Sequence, residues 1–207
     1  MSKVIVFGAG GRAGRRVVAE ALARGHEVTA AVRDPAGYSG PAEADVVRAD
    51  VTDAARVAAV AADHDAAIGT AYASGVPSGE FFPAAARALV EGLGRAGVGR
   101  LVVAGIGTTL ETAPGVAVHD APGFPAEHRE FSLGHSAELD VLKASELDWL
   151  VVAPPPVVLD EGPGTGGYRT ALGTVLPAES FSYADLALAL VDEAVTPKHS
   201  RLLLAVA

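Results

Sequence analysis

The chain has 207 residues, half of them hydrophobic, a formal net charge of −9 and no cysteine. This length suffices for one good core, so we expect one domain over residues 1–207. The absence of cysteine excludes disulfides, thiolate chemistry and zinc–cysteine sites. The acidic balance argues against nucleic acid or an anionic membrane as a main partner. No apolar run approaches the ~20 residues of a membrane span, and no basic leader precedes the first apolar run, so we expect a cytoplasmic protein.

Strand-like and helix-like segments alternate along the chain. The predicted strands cover residues 4–7, 27–32, 45–49, 66–68, 100–104, 149–153 and 202–206, the last of them at a sheet edge. The predicted helices cover residues 12–24, 53–63, 80–96, 136–145 and 183–195. Most strands are apolar throughout, which is typical of a parallel sheet covered on both faces. We therefore predict an α/β fold with a doubly wound, mostly parallel sheet.

Two loop-rich regions follow late strands of this sheet. Residues 107–130 are predicted to be loop and, with the residues up to 135, form one region; residues 154–178 form the other. Both exceed the usual length of a connection. They leave the carboxyl ends of strands, where open α/β sheets bind ligands. We expect them to form the substrate side of a site.

A glycine-rich turn joins the first strand to the first helix. Its sequence is GAGGRAG, residues 8–14. Gly8 permits the tight turn, Gly10 or Gly11 lets the backbone approach a pyrophosphate, and Gly14 lets the helix pack close to the strand. Free N–H groups at the helix start would bind the phosphates. The turn therefore predicts a dinucleotide site.

Three arginines occupy the first turns of this helix, at positions 12, 15 and 16. A cation at a helix N-terminus costs roughly 0.3–1 kcal/mol. A bound anion would reverse that sign, and Arg12, with Ala13 beside it, is best placed to reach it. For Arg15 and Arg16 we expect simple solvation.

The end of the second strand bears on the choice of nucleotide. Arg33 lies where the adenosine ribose is expected, and an arginine there accommodates a 2′-phosphate, whereas an acidic residue accepts from a 2′-hydroxyl. Asp34 follows directly, so both readings stay open. We favour NADP(H) over NAD(H).

Further cofactor contacts are predicted after the third and fourth strands. Asp50 could accept from the exocyclic amine of adenine while Val51 covers the ring. The alternative for Asp50 is helix capping, which a neighbouring residue could fulfil instead. Gly69 and Thr70 are predicted to leave space beside the pyrophosphate and ribose.

The sequence resembles the atypical short-chain dehydrogenase/reductase superfamily. The matching segments are VFGAGGRAG (6–14), VRD (32–34), ADV (49–51), LDW (147–149), PP (154–155), GPGTGGY (162–168) and SFSYADLA (180–187). They are most similar to the NAD(P)H-binding branch that holds candidate NADH-flavin reductases and biliverdin-IXβ/flavin reductase. The resemblance implies a Rossmann-like sheet of seven or eight strands and a small C-terminal substrate region. It places the nicotinamide near the ends of the fourth to sixth strands, where Gly105 and Pro154 are candidate contacts.

The chemical residues depart from that pattern. The usual Tyr-x-x-x-Lys pair is absent, since Lys143 has no tyrosine partner. The serine common after the fifth strand falls near Gly107, with Thr108 beside it, and the histidine after the proline pair is replaced by Pro156. Hydride transfer to a flavin needs little from the protein, whereas reduction of a simple ketone needs a proton donor.

We therefore select candidate proton donors from the substrate side: His135, His128, Glu130, Glu138, His119 and Thr108. Thr108 and His135 are the catalytic candidates that we select from these, the first as a hydrogen-bond donor to a carbonyl and the second as an acid/base group. We expect His119 to be solvent-exposed. Aromatic residues predicted near the mouth could stack on a planar substrate; they are Tyr72, Phe81, Phe82, Phe124, Phe131 and Tyr168. No metal-ligand spacing and no Gly-x-Ser-x-Gly motif is present.

Three functions remain open. The first is NAD(P)H-dependent reduction of FMN, FAD, a quinone or another planar conjugated acceptor. The second is isomerisation, dehydration or cyclisation on the same fold, and the third is a regulator that senses NADP. We expect a small-molecule substrate, and the oligomeric state is left open.

Overall fold

Ten strands and five helices make up the computed structural model, which describes residues 1–207. The strands are β1 (Lys3–Phe7), β2 (Glu27–Val32), β3 (Asp45–Arg48), β4 (Ala66–Gly69), β5 (Arg100–Ala104), β6 (Glu111–Ala113), β7 (Val116–Ala117), β8 (Asp148–Ala153), β9 (Thr170–Leu172) and β10 (Leu202–Val206). Eight of them form one sheet in the order β3-β2-β1-β4-β5-β8-β10-β9. Every pair is parallel except β9 with β10, which confirms the predicted mostly parallel sheet.

The helices are α1 (Arg12–Ala23), α2 (Ala54–Ala61), α3 (Ser78–Ala96), α4 (Ala126–Lys143) and α5 (Tyr183–Val195). Helix α1 packs against α5, while α3 packs against both α2 and α4. The sheet is thus doubly wound, as its apolar strands predict. None of the helices combines the length and apolar content needed to cross a membrane.

Two hydrophobic cores lie on opposite faces of the sheet because side chains alternate along each strand. In β1, Val4 and Val6 join the core shared with α1 and α5, whereas Ile5 and Phe7 join the core shared with α2, α3 and α4. All four side chains are 0–1% exposed. This two-sided burial explains why the strand is apolar throughout rather than alternating.

Three expectations about the substrate side are wrong. Residues 107–130 are not loop throughout: they contain the small β6–β7 hairpin, short 3-10 turns and the start of α4. That helix begins at Ala126, ten residues before the predicted start, because Pro125 stands at its N-cap position and initiates it. The short strand β9 lies within region 154–178 and covers the outer edge of β10, so β10 is not the edge.

Glycine inside α4 reflects helix packing rather than a helix end. A Cβ atom on Gly134 would lie 2.6 Å from the Ser78 carbonyl oxygen at the start of α3. The missing side chain therefore lets α4 approach α3 closely. This approach brings His135 against Phe82 of α3.

The strand order changes direction at β1, whose two neighbours are β2 and β4. Phe7 is in register with Ala31 on one side and with Gly69 on the other, so the three carboxyl ends are level. Such a switch point opens a crevice for ligands.

Candidate active site

A single large cleft runs along the carboxyl ends of the parallel strands. It extends from the glycine-rich turn, across the ends of β4 and β5, to α4 and to the segment after β8. Nearly all the predicted site residues line it; they are Gly8, Gly10, Gly11, Arg12, Ala13, Arg33, Asp50, Val51, Thr70, Gly105, Thr108, His135 and Pro154. The tertiary structure therefore brings together residues that are distant in sequence.

Gly14 and Gly69 lie outside this lining. A Cβ atom on Gly14 would lie 2.8 Å from the Ala9 Cα atom and closer still to the Gly8 carbonyl oxygen, so Gly14 permits the predicted close packing of α1 on the turn. Gly69 is different. It is the buried last residue of β4, where a Cβ atom would face the hydrophobic core at Leu89 and Val103, 3.6 Å away. The prediction that Gly69 leaves space beside the pyrophosphate is wrong.

The glycine-rich turn leaves its outer surface open. Gly8 has a φ of +82°, and a Cβ atom there would lie 2.6 Å from the Ala71 nitrogen, so both its conformation and its surroundings require glycine. Gly10 and Gly11 are exposed, and a Cβ atom on Gly10 would meet only Val32, at 3.7 Å. Gly11 is the N-cap of α1, and no side chain caps that helix. Uncapped N–H groups beside an open glycine backbone suit a phosphate.

Glu161, in the segment after β8, pairs with the arginines of α1. Its carboxylate lies 2.5 Å from the guanidinium of Arg16, 3.7 Å from that of Arg15 and 4.0 Å from that of Arg12. The hydrogen bond from Arg16 and then the charges of all three arginines lower the pKa of Glu161. Arg12 and Arg16 also lie over the ring of Tyr183, at 5.1 and 5.5 Å. The expectation of simple solvation is therefore wrong for Arg16, whose side chain is 20% exposed.

The two residues directly after β2 are a cation without a partner in the protein and a carboxylate that accepts a hydrogen bond. Arg33 is exposed in the cleft and forms no hydrogen bond or ion pair within the protein. The carboxylate of Asp34 accepts a hydrogen bond from the Ala36 N–H at 3.2 Å and thereby caps a short 3-10 turn. The unpaired group at the expected ribose position is thus the arginine.

Asp50 keeps one carboxylate oxygen free. Its Oδ1 accepts hydrogen bonds from the N–H and the hydroxyl of Thr52, at 2.9 and 2.7 Å, and these bonds lower the pKa of Asp50. Its Oδ2 has no partner. The N-cap of α2 is Asp53, which accepts from the Arg56 N–H. Asp50 is therefore not needed as the helix cap, and its position on the cleft agrees with the adenine interpretation.

Aromatic rings line the far end of the cleft. Phe82 lies 5.3 Å from Phe81 and 5.5 Å from Phe131, and Tyr72 lies 5.8 Å from Phe131, measured between ring centroids. Tyr72 is 56% exposed, so it presents a ring face or edge to the cleft mouth. Phe124 also lines the cleft.

Tyr168 does not belong to this group. Its hydroxyl donates to Asp192 of α5 at 2.7 Å, and the residue lies away from the cleft. Burial, followed by the hydrogen bond to Asp192, raises the pKa of Tyr168. Its predicted place near the mouth is wrong.

His135 lies inside α4 and belongs to a buried pair. Its Nδ1 atom is 2.8 Å from the Glu138 carboxylate one turn later, and both residues are 6% exposed. Its ring packs at a tilt of 34° against the ring of Phe82, with centroids 3.8 Å apart, and meets Phe131 edge-on at 5.0 Å. Sequence analysis missed this pair because it placed the helix start after position 135; the i, i+3 spacing was the available signal.

Thr108 is tied to α4 by a chain of hydroxyl groups. Its Oγ1 lies 2.9 Å from the Ser132 hydroxyl, which in turn donates to the His128 carbonyl oxygen at 3.0 Å. Because a hydroxyl has one proton, Thr108 must donate to Ser132 and can only accept from a ligand. His119 is buried, not exposed as expected: its Nδ1 lies 2.8 Å from the Thr108 carbonyl oxygen.

The remaining predicted donors lie at the surface. His128 lines the cleft but is exposed, and Glu130 is exposed outside it. No group of three or more His, Asp or Glu side chains stands close enough together to hold a metal ion.

The segments after β5 and β8 meet beneath the cleft. A Cβ atom on Gly107 would lie 2.6 Å from the Pro156 nitrogen and 2.8 Å from the Pro155 carbonyl carbon. This close contact leaves no room for a side chain at position 107, where the family resemblance led us to expect a serine. Gly105 and Pro154, which directly follow the neighbouring strands β5 and β8, both line the cleft.

Comparison with known proteins supports the interpretation of the cleft as a nucleotide-binding site. The chain is 30% identical over 204 residues to the uncharacterized protein YwnB of Bacillus subtilis (strain 168), covering 95% of this chain and 94% of that one. A candidate exported protein of Burkholderia pseudomallei has a similar structure, with a TM-score of 0.89, 35% identity and full coverage of both chains. A candidate NADH-flavin reductase of Streptococcus pneumoniae TIGR4 has a TM-score of 0.84 and 28% identity over 100% of this chain and 99% of that one.

A candidate epimerase of Bacteroides thetaiotaomicron is equally similar in fold, with a TM-score of 0.87 and 28% identity over 99% of this chain and 96% of that one. The family model described as NAD(P)H-binding matches residues 8–197, which include the glycine-rich turn and every residue that lines the cleft except Phe7. The chain therefore belongs to the NAD(P)H-binding family.

Proposed function

We propose that this protein is an NAD(P)H-dependent oxidoreductase that transfers a hydride to a flavin, a quinone or another planar conjugated acceptor. The observation that carries this proposal is the continuity of the cleft from the glycine-rich turn to the aromatic cluster formed by Tyr72, Phe81, Phe82 and Phe131. One end suits a dinucleotide and the other suits a flat aromatic ring. The likeness to a candidate NADH-flavin reductase agrees with it.

The chain's own residues would hold the cofactor at three places. The N–H groups at the start of α1, with Arg12, would bind the pyrophosphate; Asp50 and Val51 would contact the adenine; and the segment after β5 would flank the nicotinamide. When bound, the cofactor supplies the hydride, and the protein orients it and excludes water.

We further propose a preference for NADP(H), because Arg33 is the free cation at the ribose position while Asp34 is engaged in its own turn. Arg33→Ala should then weaken NADPH binding on the order of tenfold, the loss of one charge-assisted contact, with little effect on NADH. Equal losses for both nucleotides would contradict this preference.

The main test is oxidation of NADPH by the purified protein in the presence of FMN, FAD or a naphthoquinone. We expect turnover with at least one of these acceptors. If product forms equally well when NADP replaces NADPH, the non-redox function is supported instead. Tight NADP binding without any turnover would support the regulator.

A cytoplasmic location is part of the proposal, because a reductase of this type needs a maintained supply of reduced nucleotide. Cell fractionation tests the location. Recovery of the protein outside the cell would contradict the proposal and would agree instead with the name of the Burkholderia relative, an exported protein.

A further inference from the structure

The buried pair at the acceptor end of the cleft has a chemical function that hydride transfer alone does not use. Because the Glu138 carboxylate lies 2.8 Å from Nδ1 of His135, it holds the imidazole ring so that the Nδ1–H group donates to the carboxylate. Nε2 is then the atom that can take up and release a proton.

Nε2 of His135 is accessible from the cleft. Nε2 makes no hydrogen bond within the protein. The fully buried side-chain polar atoms that lack a partner are Tyr38 Oη and Trp149 Nε1, and Nε2 is not among them, so Nε2 is not fully buried. Since the residue as a whole is 6% exposed and lines the cleft, the accessible part of its ring faces the cleft.

The neighbouring groups leave this role to His135. Thr108 has its proton committed to Ser132, and His119 is turned to the Thr108 carbonyl oxygen. Facing titratable groups are few: Glu80 of α3, His128 of α4 and the phenol of Tyr72 line this part of the cleft, and none of them forms an ion pair or hydrogen bond with His135. The packed contacts of the ring from α3 and α4 are the apolar rings of Phe82 and Phe131.

We propose that His135 is the proton donor for acceptors whose reduction leaves charge on a carbonyl oxygen, with Glu138 as its positioning residue, and that quinones and conjugated enones are therefore the preferred substrate class. This inference rests on the proposed function. The acceptor takes a hydride, with its two electrons, from the reduced nicotinamide. Negative charge collects on the carbonyl oxygen, and the Nε2–H bond of protonated His135 breaks as the O–H bond forms. The nicotinamide is left oxidised, and the neutral imidazole recovers a proton from water.

Flavin provides an internal comparison, because a hydride added to its ring leaves a stable anion that needs no proton from the protein. His135→Gln should therefore lower kcat with a naphthoquinone on the order of 100-fold, as expected for loss of a general acid, and change turnover with FMN by less than about threefold.

Glu138→Gln provides a second variant that keeps the imidazole, and Glu130→Gln is its matched control, the same change on an exposed residue of the same helix. NMR of the ring nitrogens, without cofactor, should show Nδ1 protonated in the wild type and in Glu130→Gln. In Glu138→Gln that signal should shift, and the quinone rate should fall while the circular dichroism spectrum is unchanged.

The outcomes separate the two proposals. A wild-type protein that oxidises NADPH with neither acceptor overturns the proposed function, and this inference with it. If His135→Gln lowers turnover with flavin and with quinone equally, or lowers neither, only the role of His135 is overturned. An NMR spectrum of Glu138→Gln identical to the wild type overturns the positioning role of Glu138.

Discussion

Replacing either of two glycines in the turn at residues 8–14 by alanine distinguishes an effect on cofactor binding from an effect on folding. Gly10→Ala adds a Cβ atom that meets only Val32 within the protein, at 3.7 Å, whereas Gly14→Ala forces one to within 2.8 Å of the Ala9 Cα atom. Neither glycine has a positive φ, so alanine is allowed at both backbone conformations. The difference therefore lies only in what surrounds the added atom.

For Gly10→Ala we expect a free energy of unfolding between unchanged and about 1 kcal/mol higher, because the unfolded chain loses entropy. The added methyl group lies on the surface where the pyrophosphate is proposed to bind. Loss of one N–H contact to a charged group costs about 1.5–3 kcal/mol, so the Kd for NADPH should rise on the order of 10- to 100-fold. For Gly14→Ala we expect about 2–3 kcal/mol lower stability, since the clash is with backbone that cannot rotate away.

Urea unfolding followed by circular dichroism measures the free energy of unfolding of both variants, and calorimetric titration measures the Kd for NADPH. Wild-type NADPH affinity in a folded Gly10→Ala protein would refute the placement of the phosphates. Wild-type stability of Gly14→Ala would refute the close contact between α1 and the turn.

Three further predictions concern single side chains. Tyr38→Phe removes a buried hydroxyl that has no hydrogen-bond partner, a burial that also raises the pKa of Tyr38; thermal or urea unfolding should show about 1 kcal/mol of added stability, and a loss would mean that the hydroxyl has a partner. Glu161→Gln frees the arginines of α1 and should tighten NADPH binding by up to about fivefold at low salt, a small effect because solvent screens exposed ion pairs; titration at two salt concentrations tests this, and weaker binding would contradict it. The pKa of Asp50 is lowered by its bonds to Thr52, so its contribution to stability is present above the ordinary carboxyl pKa and is lost as the pH falls through the lowered value. Asp50→Asn should therefore be slightly less stable than the wild type in urea at pH 7, and the difference should vanish in acid once the Asp50 carboxyl is protonated; a difference that grows on acidification would reverse the sign.

The sequence alone determined the sheet and the cofactor end of the cleft. Strands that are apolar on both faces, such as β1, and helices with regular spacing, such as α5, have local signals that directly reflect burial. The glycine-rich turn also has a local signal, since its glycines stand directly between a strand pattern and a helix pattern, and the positive φ of Gly8 favours glycine whatever surrounds it. These features were predicted with nearly correct boundaries for that reason.

Only the tertiary structure decided the acceptor end. Pro125 and Gly134 read as loop residues, yet one initiates α4 and the other lets it pack against α3, and this shift of the helix start brings His135 and Glu138 onto one buried turn. Glu161 lies 145 residues from Arg16, and no local pattern links them. Pairings of this kind arise from how the segments after β5 and β8 pack together, and that packing depends on the whole sheet rather than on any stretch of sequence.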